Sequence, residues 1–200
     1  MIGSNTDPAG LRGEPLRHRV LDAAELLLRD GKADFSMRQL AAEAGVSFAT
    51  PFNQFGSKAA IMHALSKRRI DTMSRRFTAA PAPRNAQDRI LLAIDIAVAV
   101  MIEEPAINRA VMSWVGTAGG GDVLHHSTML WSLALGDGEG LAPARRQAAL
   151  DALPRQLAFA FRGVLSFWTA GELAGDALAS HAREAARMLL SGFTGPDPSD

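Results

Sequence analysis

The chain has 200 residues, 48% of them hydrophobic, with 21 Lys/Arg balanced by 21 Asp/Glu and no cysteine. That length allows one large domain or two modest ones, and the missing cysteines remove disulfides, thiolate metal sites and thiol nucleophiles, as suits a reducing compartment. The longest apolar run, ILLAIDIAVAVMI at 90–102, is broken by Asp95 and is too short to span a bilayer, so no membrane partner is expected.

The zero net charge hides an asymmetry: residues 1–80 hold 12 Lys/Arg and 8 Asp/Glu, whereas residues 81–200 hold 9 and 13. Between positions 45 and 70 stand Lys58, Lys67, Arg68 and Arg69 with no acid among them. A basic amino-terminal part on an acidic remainder points to a polyanion met at one end only.

Residues 1–15 are polar and rich in Gly and Pro, without the apolar core of a secretory signal. They read as a flexible arm, and a cytoplasmic location is expected. A first helix over about 16–29 carries Leu16, Val20, Ala23, Ala24 and Leu27 on one face and ends at Gly31. Ser36 and Gln39 then form a capping box flanked by Phe35 and Leu40 at the staple positions, and Gly45 ends that second helix. Ser47 is expected to cap a third helix of about two turns, and Ser57 a fourth that carries Met62, Leu65, Ile70, Met73 and Phe77 on one side. The Ala/Pro stretch 79–87 reads as a linker. Beyond it helices are expected over 86–103, 105–117, 122–136, about 144–170 and 176–191. Pro154 marks either a kink in the fourth of these or its true start.

The fold class is therefore all-α, with about nine helices. Two short helices joined by a tight glycine turn form a helix-turn-helix over 36–55, whose second helix enters the major groove. On a helical wheel Val46, Pro51 and Phe55 point inward, while Ala49 and Asn53 point outward, flanked by Phe48, Thr50 and Phe52. Asparagine pairs with adenine, and Ala or Phe meets a thymine methyl. Lys58, beside free backbone N–H groups at the next helix start, suits a phosphate. Pro51 deletes an ordinary helical hydrogen bond near the start of the third helix, which a 3₁₀-like first turn accommodates.

The span RVLDAAELLLRDGKADFSMRQLAAEAGVSFATPFNQFGSKAAIMHALSKRR, residues 19–69, resembles the DNA-binding domain of the TetR family of transcriptional regulators. The likeness lies in the apolar first helix ending at Gly31, the S-M-R-Q-L-A start, A-G-V-S, and a phenylalanine followed by G-S-K. It implies an all-helical homodimer whose carboxy-terminal domain binds a small-molecule effector and so controls operator binding, usually as a repressor. By motif position Phe48, Ala49 and Asn53 fall among the base-facing residues. Ser47, Thr50, Phe52, Lys58 and Arg38 join them at the DNA interface, mostly toward phosphates. The family commonly has glycine, leucine and tyrosine where this chain has Ala49, Pro51 and Phe52. Residues 16–78 then form the DNA-binding domain with its connecting helix, 88–195 the effector and dimerisation domain, and 196–200 a tail.

In that second domain, Leu157, Phe161, Val164 and Trp168 form one apolar face of a helix, and Phe159, Gly163, Phe167 and Ala170 lie opposite. With Leu178, Ala182, Ala185 and Leu189 on the last helix, they point to a four-helix bundle shared between two chains. Met101, Met112, Trp114, Met129, Trp131 and Phe161 are candidates to line an effector cavity, with Asp95, His125 and Arg162 to orient the ligand. No metal or cofactor is expected, because no E-x-x-H, Walker loop, dinucleotide fingerprint or G-x-S-x-G is present. The chain therefore does not read as an enzyme. The rival reading is a helical small-molecule-binding protein or enzyme whose helix-turn-helix no longer engages DNA, which Pro51 and Phe52 favour.

Overall fold

The computed structural model describes residues 8–81, 83–117 and 121–194. Among them are nine α-helices and one 3₁₀ turn: α1 (Pro8–Arg29), α2 (Met37–Glu43), α3 (Ala49–Phe55), α4 (Lys58–Ala79), α5 (Ala86–Glu103), α6 (Pro105–Thr117), α7 (Val123–Leu135), the turn Pro143–Arg145, α8 (Arg146–Ala170) and α9 (Leu178–Thr194). The described residues contain no strand. The all-α expectation thus holds, with two corrections. Helix α1 begins at Pro8, inside the stretch read as an arm, because one internal proline, Pro15, costs a single hydrogen bond without ending the helix. Pro154 likewise sits buried inside α8 and does not start it. Residues 1–7, the tail 196–200 and residues 118–120 of the glycine run at 116–121 lie outside the described residues.

Local chemistry fixes the early boundaries. Gly31 takes φ 74° while the Lys32 N–H reaches the Leu27 carbonyl at 2.9 Å and the Gly31 N–H reaches Leu28 at 3.1 Å, a Schellman ending for α1. Gly45 repeats the arrangement at φ 60°, with Val46 N–H to Ala41 and its own N–H to Ala42. At the start of α2 the Ser36 hydroxyl accepts the Gln39 N–H at 3.2 Å, and Gln39 Oε1 accepts the Ser36 N–H at 2.7 Å. Phe35 and Leu40 are both buried beside that cap.

Two apolar cores result. The amino-terminal one holds Val20, Leu27, Phe35, Leu40, Ile61, Met62 and Leu65; the larger one is built from α5, α7, α8 and α9 around Ile94, Trp131, Phe161 and Trp168. Two helices belong to both. Met73 and Phe77 of α4 lie in the larger core, while Ile107 and Val111 of α6 lie in the amino-terminal one. The boundary drawn at 79–87 therefore does not separate the cores. Composition marks a loop there, but α6 crosses back in space.

Candidate nucleic-acid interface and the cavity beside it

Helix α3 is held by a turn that the sequence predicts only in part. Ser47 does not cap it through its side chain. Residue 48 is already helical (φ −53°, ψ −34°), the Thr50 N–H bonds the Ser47 carbonyl at 2.9 Å, and the Ser47 and Thr50 hydroxyls meet at 2.8 Å. This i→i−3 closure is what Pro51 requires, since residue 51 has no N–H to offer Ser47. Pro51 is buried, Val46 and Phe55 pack partly against the core, and Ala49 and Asn53 are exposed.

Phe48 and Phe52 stand out from the surface at 53% and 42% exposure. Their rings meet edge to face, with centroids 5.4 Å apart, and the Arg38 guanidinium lies 5.6 Å from the Phe48 ring. One surface thus joins a cation, two hydroxyls, an amide and two flat apolar groups.

The cations counted from the sequence behave differently. Lys58 turns inward: its ammonium donates to the Ala33 carbonyl at 2.7 Å and lies over the rings of Phe35 and Trp114, at 4.4 and 4.8 Å. Burial pulls its pKa below the ordinary lysine value, with Asp34 opposing that shift. The expected phosphate role of the Lys58 side chain is corrected accordingly. Lys67 pairs with Asp71 at 2.7 Å, Arg68 with Asp22 at 2.6 Å, and Arg69 with Glu25 at 3.0 Å and Glu104 at 3.2 Å. The acid-free run in sequence meets acids from other helices in space.

Behind this surface, α4, α5, α6, α7 and α8 border a half-open cavity of about 270 Å³. Met101, Met112, Phe161 and Arg162 line it, as do Met73, Val111, Leu130 and Ala158. Five expected residues do not. Met129 is exposed, His125 is exposed and packs edge-on against His126, and Trp114 belongs to the amino-terminal core over Lys58. A helix turns neighbouring side chains by about 100°, so only part of an apolar run can reach one cavity. Trp131 stands behind the lining, its ring 5.4 Å from Phe161. Asp95 is engaged elsewhere, accepting from Arg183 at 2.6 Å.

Along α8, Phe159 and Phe167 are 46% and 56% exposed, Ala170 is exposed, and a Cβ on Gly163 would meet nothing within 4 Å. Ala185 and Leu189 of α9 are half-buried. Leu178 and Ala182, however, are buried in the chain's own core and are withdrawn from the expected interface, while Met188 on the same helix is 73% exposed.

The family model for bacterial regulatory proteins of the tetR family matches residues 20–65, the segment that builds this turn and its supports. A TetR transcriptional regulator from Rhodococcus sp. RHA1 superposes with a TM-score of 0.71 at 25% identity, over 88% of this chain and 97% of that one. Residues 20–65 thus carry a tetR-family regulatory domain, and the chain as a whole takes the fold of a TetR regulator. The TetR fold also appears at lower identity. A Mesorhizobium loti MAFF303099 protein proposed as a TetR-family transcriptional regulator gives a TM-score of 0.55 at 15% identity, covering 91% of this chain and 98% of that one. A protein of unknown function from Rhodococcus sp. RHA1 gives 0.55 at 24%, covering 90% and 96%. No curated protein sequence matches the chain. No helix among the described residues is long and apolar enough to cross a membrane, and no group of three or more His, Asp or Glu among them is arranged to hold a metal ion.

Sequence reasoning missed Asn108. It is 1% exposed, donates to the Val100 and Met101 carbonyls at 3.0 and 2.8 Å, and accepts from Arg69 at 2.9 Å. It therefore ties the end of α5 to α6 and α4 at the cavity wall. A lone Asn four residues into a helix carries no local signal of such a role.

Proposed function

We propose that the chain is an effector-responsive repressor that binds a palindromic operator as a homodimer. The observation that carries the DNA-binding part is the solvent-facing set Phe48, Ala49, Phe52 and Asn53 on a two-turn helix, beside the Ser47 and Thr50 hydroxyls and Arg38. Asn53 reads a base, the two rings meet thymine methyls or sugars, and the hydroxyls and Arg38 take phosphates. Pairing through the exposed faces of α8 and α9 sets two α3 helices about one duplex turn, ~34–36 Å, apart.

Effector response is supported by the double allegiance of α6. Val111 lines the cavity and is also part of the amino-terminal core. A ligand that prefers one setting of α6 thereby biases the position of the DNA-binding domain by its differential affinity for the two settings. Release from the operator follows where that setting mismatches the half-site spacing.

A second reading, a helical ligand-binding protein or enzyme without DNA binding, is favoured by one observation: Lys58, Lys67, Arg68 and Arg69 are all engaged inside the chain. Fluorescence anisotropy with a duplex from the region upstream of the chain's own gene, repeated across salt concentrations, separates the two. Phosphate-anchored docking gives a clearly negative slope of log K against log salt, about −0.9 per phosphate contacted. A slope near zero, or no binding, favours the second reading.

A further inference from the structure

The cavity contains one unexplained charge. Among the described residues only two of its lining side chains are ionised, Arg69 and Arg162. Arg69 is matched by Glu25 and Glu104. Arg162 has no carboxylate partner among the described residues. Its nearest acceptors are the Met112 sulfur at 3.3 Å and, at the edge of hydrogen-bonding range, the Met112 carbonyl at 3.5 Å. Neither neutralises it. Partial burial pulls the Arg162 pKa below its ordinary value, as for a guanidinium that has lost part of its water, though arginine stays charged.

Around this cation the walls are apolar: Met73, Met101, Val111, Leu130, Phe161 and Leu165. The volume of about 270 Å³ lies just below the ~300–1,000 Å³ usual for small-molecule sites, which calls for a small ligand. At ~30 Å³ per water it would hold about nine waters against a largely greasy lining, which an apolar body displaces favourably.

Resting on the small-molecule reading of the cavity above, we infer that its ligand is a compact amphipathic carboxylate, an alkanoic or arylalkanoic acid, with the carboxylate on the Arg162 guanidinium and the apolar body among Met73, Met101, Val111 and Leu130. The planar guanidinium fork matches a carboxylate bidentately. One cation calls for one negative charge, since a phosphate dianion would leave a net charge in the apolar site. A neutral or cationic ligand would leave Arg162 desolvated and unpaired.

The test is calorimetry on the full chain with four probes: octanoate, octanamide, 4-phenylbutyrate and 4-phenylbutanamide. At least one carboxylate is expected to bind ten-fold or more tightly than its amide. Arg162→Met should bring that ratio to about one while leaving amide affinity within a few-fold, and Arg162→Lys should keep part of the preference. Circular dichroism verifies folding, and should Arg162→Met not fold, the wild-type ratio and Arg162→Lys decide. Saturable binding with a ratio near one, as expected of a guanidinium neutralised at a subunit interface, overturns the carboxylate assignment and leaves the cavity reading standing. So does a preference that survives Arg162→Met. A chain that binds none of the four contradicts both.

Discussion

The Lys58 ammonium lies 4.8 Å from the centroid of the Trp114 ring, which joins the first turn of α4 to the last turn of α6. The same ammonium donates to Ala33 in the loop before α2, so one side chain touches the helix-turn-helix support, the connecting helix and the cavity helix. Cation–π contacts of this desolvated kind contribute about 0.5–2 kcal/mol, and a hydrogen bond from a charged group about 1.5–3 kcal/mol. Lys58→Ala should therefore lower unfolding stability by about 1–3 kcal/mol. It should leave the salt slope of operator binding unchanged, because the side chain faces no phosphate. Denaturant melts paired with salt titrations check both; a shallower slope with unchanged stability would put Lys58 back at the DNA.

Arg38 is the contrasting cation. It is exposed and stacked over Phe48, and it forms no salt bridge among the described residues. Arg38→Ala should weaken binding to every duplex alike and make the salt slope shallower by about 0.9 for each phosphate lost, with thermal stability changed by less than about 0.5 kcal/mol.

Asn108→Ala strands the Val100 and Met101 carbonyls and one Arg69 N–H inside the protein. A buried polar group left unsatisfied costs about 1–3 kcal/mol, so a loss of about 2–4 kcal/mol is expected in urea unfolding. Asn108→Asp should not rescue it, since a carboxylate cannot donate to the two carbonyls.

The exposed strip on α8 gives a prediction about assembly. Phe167→Glu, and more fully Phe159→Glu with Phe167→Glu, should shift the chain to a monomer in sedimentation while helical content by circular dichroism is retained. Operator affinity should fall at least ten-fold in parallel, because half-site binding loses the effective concentration that the second recognition helix gains from tethering. A wild-type chain that sediments as a monomer at micromolar concentration would contradict the pairing.

What the sequence made legible was local chemistry. The Ser36–Gln39 box, the left-handed glycines at 31 and 45 and the inward Pro51 all follow from interactions spanning a few residues, and each is observed. What stayed hidden was long-range. Lys58 turns to a carbonyl 25 positions away, and Arg68 and Arg69 find acids on α1 and at the α5–α6 junction. In the cavity the limit was geometric. Met101, Met112, Trp114 and Met129 are equivalent as an apolar list, yet the rotation of each helix sends two to the cavity, one to the other core and one to solvent. On α9 the same ambiguity put Leu178 and Ala182, which are buried, among the outward residues, whereas Met188 is exposed.

Binding-site selection from a random duplex library, run in parallel on the wild type and Asn53→Ala, tests the role of α3 most directly. Enrichment of a palindrome with half-sites one helical turn apart is expected, with Asn53→Ala losing about 1–3 kcal/mol of discrimination at one symmetric base pair and keeping the rest of the pattern. A wild-type pool without an enriched palindrome, or an identical pattern from Asn53→Ala, would contradict base reading by the exposed face of α3.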